Sequence, residues 1–171
     1  MSPGVRKLAL TAHVTTSVGW LGAVLGFLAL AIAGLVSHSE PTVRAVYIGM
    51  DVVTRLVIVP LCLASLATGI VQSLGTPWGL FRHYWVLIKL LLTVASTAVL
   101  LVHTQVVAYL GQAALAVTFA RDDLRGANEQ LVFDAAAAAL VLVVATTLAT
   151  FKPRGVLGRR EGPHDSSIAI P

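Results

Sequence analysis

The sequence predicts an all-α integral membrane protein: an antiparallel bundle of four transmembrane helices with both termini in the cytoplasm. Of its 171 residues, 57% are hydrophobic and 12% are charged, whereas soluble domains carry about 25% charged residues. The charged residues flank long uncharged stretches, and spanning the hydrocarbon core of a bilayer takes about 20 apolar residues. Because a soluble fold cannot hide so much apolar surface, lipid is the expected solvent.

The uncharged stretches define the predicted helices, which span residues 8–36, 43–74, 84–110 and 131–151. Together they form one predicted domain, residues 1–152. Asp134 lies in the first turn of the predicted fourth helix, where the helix dipole favours an acid. The Gly-, Pro- and charge-rich segment 153–171 is predicted to be a disordered basic tail in the cytoplasm.

Two features of the predicted first and second helices affect their interpretation. Arg6 and Lys7 precede the first apolar run, so a cleaved signal peptide is an alternative, although the run exceeds the roughly 7–15 residues of a signal core. Pro60 lies within the second helix and is expected to kink it.

The basic residues predict the orientation of the bundle. In bacterial and eukaryotic membranes Lys and Arg collect on the cytoplasmic side. The four-helix arrangement places Arg44, Arg121 and Arg125 on one side of the membrane. The larger group lies on the other side, which is therefore cytoplasmic: Arg6, Lys7, Arg82, Lys152, Arg154, Arg159 and Arg160.

Polar side chains form a stripe along each of the first three helices at helical spacing. Because lipid penalises polar groups, the stripes are expected to face one another inside the bundle. Gly19, Gly22 and Gly26 are expected to leave room for a neighbouring helix. The stripes are His13, Thr16, Ser17 and Trp20; Asp51, Arg55, Cys62, Ser65, Gly69 and Gln72; and Trp85, Lys89, Thr93, Ser96 and His103.

His13 and His103 are the main candidates for binding a cofactor or a metal, since two imidazoles on two helices can hold a haem iron. The two residues lie at opposite ends of their helices, with an axial offset of roughly 22 Å at 1.5 Å per residue. A single haem cannot use both histidines. For each one, a hydrogen bond to a neighbouring helix is the simpler alternative.

Two separate groups of candidates remain. The first, on the cytoplasmic side, comprises His13, Trp20, His83, Trp85 and Lys89, and the second, on the outer side, comprises Tyr47, Met50, Asp51, Arg55 and His103. Neither has the spacing of a zinc or cysteine-based metal motif. Lys89 either takes part in function or extends its ammonium group to the interface.

The first helix carries His13 followed seven residues later by Trp20, Leu21 and Gly22, and the third carries the string Trp85 to Leu90 with Lys89 inside it. This arrangement resembles the CopD-type copper-resistance membrane proteins and HemJ, the membrane protoporphyrinogen oxidase, over about half of the chain. The resemblance implies that His13 is a haem ligand and Lys89 a functional lysine. His103 lies about one helical turn later than the HemJ spacing.

Three functions are consistent with these patterns. The leading hypothesis is a protein that binds haem b through His13, Lys89, Trp20 and His83, and serves electron transfer or porphyrin chemistry. The second is copper handling by His103, Met50 and His38 near the outer face. The third is a non-catalytic membrane subunit that packs through helix 1 and residues 135–139, as a homo-oligomer or with a partner protein.

The composition also bears on location and partners. The few basic residues lie at the ends of segments, so they indicate membrane topology in the plasma membrane, and no nucleic acid is expected as a partner. The lipid bilayer is the expected environment. No nucleophile, carboxylate pair or phosphate-binding loop is recognisable, which makes a hydrolase or a nucleotide-driven function improbable.

The topology can be tested with reporter fusions. A reporter after residue 171 and a reporter inserted within residues 121–130 are expected to lie on opposite sides of the membrane, because one helix separates them. Activity of both reporters on the same side would contradict the four-helix topology.

Overall fold

The computed structural model describes residues 2–75 and 84–151, which form four long helices and no strand. They are α1 (Pro3–Val36), α2 (Glu40–Leu74), α3 (Tyr84–Leu115) and α4 (Arg121–Phe151). All four are long and apolar enough to cross a membrane. The predicted all-α class is therefore confirmed for the described residues, as are four helices that are long and apolar enough to cross a membrane. Residues 153–171 and His83 lie outside the described residues.

All four helices extend beyond their predicted limits, and α2 begins at Glu40 instead of residue 43. α1 begins at Pro3, where the Ser2 hydroxyl accepts a hydrogen bond from the Val5 amide at 3.5 Å. α4 begins at Arg121, so the polar segment 121–130 forms its first turns, and Asp122 and Asp123 provide the acidic groups that a helix N-terminus favours. α3 continues to Leu115. At the starts of α1, α2 and α4, charged residues hide these turns from a criterion based on apolar runs.

α2 contains a π-helical turn, Thr54–Ile58, in which the Val59 amide donates to the Thr54 carbonyl. This turn directly precedes Pro60, the residue expected to kink the helix. Proline has no amide hydrogen, and its ring crowds the carbonyl four residues earlier, here that of Leu56. A wider turn ahead of the proline relieves this crowding, and such turns often mark functional sites.

The helices pack as a four-cornered ring. α1 and α3 each pack against both α2 and α4. The centre is filled by apolar side chains such as Phe27, Met50 and Leu110. Large apolar side chains also remain exposed along every helix, as expected for surfaces in contact with lipid.

The polar stripes of the first three helices meet inside this ring. The Ser17 and Ser65 hydroxyls lie 2.7 Å apart and join α1 to α2. The Cys62 thiol and the Thr97 hydroxyl lie 3.1 Å apart and join α2 to α3. Hydrogen bonds between helices satisfy groups that lipid could not.

α4 contributes its own buried polar residue, Asn128, which is fully buried. Its side-chain amide donates to the Ala31 carbonyl of α1 at 3.2 Å. Gly34 allows this approach, because a Cβ there would lie 2.9 Å from Asn128 Nδ2 and 3.2 Å from Tyr47 Cε1. No pattern in the sequence predicts this contact between α1 and α4.

The expectation for the other glycines of α1 is correct only in part. A Cβ at Gly19 would lie 3.3 Å from Leu61 Cδ1, so this glycine is close to α2. Gly22 and Gly26 are exposed, and a Cβ at either would meet nothing within 4 Å. These two glycines face away from the bundle, because the α1 face that packs inward carries Trp20, Val24 and Phe27.

Gly34 and Gly26 form a matched pair for testing the packing. Gly34→Ala is expected to destabilise the protein by about 1–3 kcal/mol, because the added methyl group meets a filled space. Gly26→Ala is expected to be neutral or to stabilise by up to ~1 kcal/mol, since alanine favours helix and its methyl group meets open space. Thermal unfolding in detergent measures both effects. Unchanged stability of Gly34→Ala would contradict the close approach of α1, α2 and α4.

Candidate functional site

The bundle forms two half-open cavities, and all four helices line each of them. The His13 cavity has a volume of about 410 Å³ and contains His13 and Lys89. The His103 cavity has a volume of about 270 Å³ and contains His103 and Asp134. Trp20 lines both cavities and is only 2% exposed, so its indole ring forms part of the wall between them.

The His13 imidazole is held by α2 through its Nδ1 atom. Nδ1 lies 3.1 Å from the Ser65 carbonyl oxygen and 3.2 Å from Thr68 Oγ1. A carbonyl oxygen only accepts hydrogen bonds, and the Thr68 hydroxyl donates its own hydrogen to the Ala64 carbonyl at 2.6 Å. Both partners therefore accept from His13, and this network assigns the ring hydrogen to Nδ1. Nε2 is left with its lone pair.

The packing around the imidazole fixes its position. A Cβ at Gly69 would lie 3.0 Å from His13 Cε1, so the ring edge rests against the backbone of α2. Thr16, one turn after His13, donates to the Ala12 carbonyl at 2.9 Å and lies 3.4 Å from Thr68 Oγ1. The ring is thus held from the side of α2 while its Nε2 edge faces α3.

Lys89 of α3 is the neighbour of that free edge. Its Nζ atom lies 3.5 Å from His13 Nε2, where the ammonium group can donate to the lone pair. Within residues 2–75 and 84–151, Lys89 forms no ion pair with an acidic side chain. A partly buried cation among apolar walls without an acidic partner is costly inside a membrane.

Most of the other polar groups that line the His13 cavity already form hydrogen bonds within their own helices. The Thr93, Thr146 and Thr150 hydroxyls each donate to the carbonyl four residues earlier in their own helix, at 2.8–3.0 Å. Gln72 Oε1 is buried without a hydrogen-bond partner. His13, Lys89 and Gln72 are therefore the groups in this cavity with capacity to bind a ligand, and Lys89 is the one that carries a charge.

The His103 imidazole has a different set of partners. Its Nδ1 donates to the Val99 carbonyl at 2.8 Å, and its Nε2 lies 3.3 Å from the amide nitrogen of Gln130. Nε2 is also 2.8 Å from Asp134 Oδ2. This contact is close but not aligned as a hydrogen bond, so Asp134 Oδ2 remains buried without a donor.

Asp134 is therefore not the first-turn acid that the sequence analysis expected. α4 begins at Arg121, and so Asp134 lies several turns inside the helix, opposite α3. The position of Asp134 in the sequence could have indicated its contact with another helix. A carboxylate beside a long apolar run usually has a partner within the protein.

The two histidines belong to different cavities, as the predicted axial offset requires. The copper candidates are dispersed: His38 is exposed between α1 and α2, and Met50 is fully buried in the core and lines neither cavity. In the part of the chain that the structure describes, no three His, Cys, Asp or Glu side chains are grouped to hold a metal ion. Copper handling stays a prediction.

No family model, curated protein or solved structure matches this chain. The geometry of the two cavities is therefore the basis for the function proposed below.

Proposed function

We propose that this multi-pass membrane protein binds haem b in the His13 cavity, with His13 as the axial ligand. The observation that carries the proposal is the orientation of the imidazole. Histidines that ligate metals usually donate their other ring N–H to a carbonyl or carboxylate, which fixes the tautomer. His13 has this arrangement, since Nδ1 donates to the Ser65 carbonyl and Nε2 keeps its lone pair on the side of the cavity.

The cavity could hold one edge of a large amphiphilic ligand. Its volume of about 410 Å³ is smaller than a complete haem, so the macrocycle would extend through the open side of the cavity. Most of its wall is apolar, including Val14, Leu66 and Leu142, and this would cover a macrocycle. His103 belongs to the other cavity, so the protein supplies one axial imidazole from this pair.

Lys89 supports the same ligand by its charge. Haem b carries two carboxylates, and a buried ammonium group without an acidic partner gains most from such an anion. Lys89 would hold a propionate of the haem, and the His13 Nε2 lone pair, now 3.5 Å from Lys89 Nζ, would hold the iron.

The resemblance of residues 13–22 and 85–90 to CopD and HemJ favours the same two residues. In this proposal the bundle is antiparallel in the plasma membrane with both termini in the cytoplasm, and the His13 cavity lies towards the cytoplasmic side. Bound haem would supply electron transfer or porphyrin chemistry. The chain itself would bind the macrocycle, orient it and exclude water.

His13 can be tested against His103. After expression with added haem, wild-type protein and His103→Ala are expected to show the visible absorption of bound haem, and His13→Ala is expected to lose it. Added imidazole should restore absorption to His13→Gly, because the free ring can fill the vacated space. Haem that survives His13→Ala and disappears in His103→Ala would place the ligand in the other cavity.

A purely structural His13 gives a different result. Wild type and both variants would then be equally colourless, and His13→Ala would cost ~0.6–2 kcal/mol of stability through its lost hydrogen bonds. That outcome would contradict haem binding.

Lys89 can be tested through its charge. Lys89→Met is expected to weaken haem binding roughly tenfold, the effect of losing one charge-assisted hydrogen bond, while Lys89→Arg retains most of the affinity. Haem titration measures both, and Lys7→Met removes an exposed lysine of α1 as the matched control. Unchanged affinity in Lys89→Met would exclude the propionate contact and leave the test of His13 unaffected.

A further inference from the structure

The His103 cavity carries an unusual concentration of unsatisfied polar groups. Trp20 Nε1, Thr54 Oγ1 and Asp134 Oδ2 are all buried without a hydrogen-bond partner, and all three residues line this cavity. Trp20 is 2% exposed and Thr54 is 1% exposed. Buried polar groups in native proteins are normally paired, so three in one cavity call for a molecule that satisfies them.

The rest of the wall favours a molecule with an apolar ring over water alone. It is formed mainly by apolar side chains, such as Val24, Phe27, Leu100 and Val141. Apolar cavities stay dry, whereas mostly apolar pockets with a few polar groups are typical ligand sites. An engineered apolar cavity of about 150 Å³ accepts benzene, so about 270 Å³ has room for one substituted ring.

The unsatisfied atoms specify the polar groups of the ligand. The indole Nε1 of Trp20 can only donate, and the Thr54 hydroxyl can donate. They lie on α1 and α2. Asp134 Oδ2 of α4 can accept a further hydrogen bond, because its 2.8 Å contact with His103 Nε2 is not aligned as a hydrogen bond. A ligand that fits accepts from Trp20 on the side of α1, exchanges a hydrogen bond in either direction with Thr54 of α2, and donates to Asp134 on the side of α4.

The local backbone of α2 is also adapted at this point. Thr54 and Ile58 begin and end the π-helical turn, and both line the cavity. π-helical turns inside longer helices are frequent at functional sites. This observation is independent of the unsatisfied side chains.

We infer that the His103 cavity binds the ring of a lipophilic hydroquinone, a membrane-dissolved molecule with a hydroxyl group at each end. One hydroxyl oxygen accepts from Trp20 or Thr54, and the opposite hydroxyl donates to Asp134 beside His103. The inference concerns binding alone and does not depend on haem in the His13 cavity.

The probe is trimethylhydroquinone, titrated by calorimetry into the full-length protein in lipid nanodiscs, with empty nanodiscs as the baseline. Trimethylbenzoquinone, which cannot donate to Asp134, is expected to bind about fivefold to tenfold more weakly, the effect of one hydrogen bond. Tetramethylbenzene has a similar shape without oxygen and is expected to bind most weakly. Equal affinity for all three compounds, or no saturable binding of trimethylhydroquinone, would overturn the inference.

Two threonines provide the matched variants. Thr54→Val removes the unsatisfied hydroxyl and is expected to lower the affinity for trimethylhydroquinone about fivefold to tenfold. Thr97→Val removes a similarly buried hydroxyl that is bonded to Cys62 and lines neither cavity, so its affinity should match the wild type. Trp20→Phe keeps an aromatic side chain but removes the N–H together with the pyrrole part of the indole, which gives a second test if Thr54→Val does not fold. Wild-type affinity in both Thr54→Val and Trp20→Phe would contradict the assigned contacts.

Discussion

The requirement that every buried polar group find a partner inside the protein governs this structure. Lipid offers no hydrogen bonds, so a polar side chain on a membrane helix is stable only where another helix or a ligand supplies the complement. The contacts between Ser17 and Ser65, and between Asn128 and the Ala31 carbonyl, meet this requirement within the bundle. His13 meets it through Ser65 and Thr68. Among the described residues, most of the buried atoms without a partner line the two cavities, and the exception is Asn128 Oδ1.

The cavities differ in a way that follows from the same rule. In the His13 cavity an imidazole lone pair and an ammonium group lie together without a carboxylate among the described residues. This combination favours a ligand with anionic groups and a metal. In the His103 cavity the imidazole already lies beside Asp134, and the remaining groups are single donors and a single acceptor. That set favours a neutral ligand, and Trp20 separates the two environments.

Much of the fold could be predicted from the sequence, because long uncharged stretches and helical spacing respond to the same lipid environment. The placement of His13 towards α2 and Lys89 follows from its stripe. The starts of α1 and α4 could not be predicted from apolar runs, since Arg6, Lys7 and Asp122 lie inside helices that extend beyond the apolar stretch. The contact between Asp134 and His103 depends on how α3 and α4 are aligned. The need for a glycine at position 34 depends on how closely α1 approaches Asn128. Neither alignment is encoded in spacing along one helix.

Haem binding by His13 depends most on the tautomer of its ring, because only a ring that carries its hydrogen on Nδ1 presents the Nε2 lone pair to the cavity. NMR of nitrogen-labelled histidines in the haem-free protein measures this directly, with the His13 signals identified by their loss in His13→Gln. We predict that Nδ1 of His13 is protonated and that Nε2 is not. Thr68→Val removes one of the two acceptors of Nδ1 and is expected to weaken the preference for this tautomer. A His13 ring that carries its hydrogen on Nε2 would contradict haem binding by His13, since Nδ1 could then not donate to the Ser65 carbonyl and no lone pair would face Lys89.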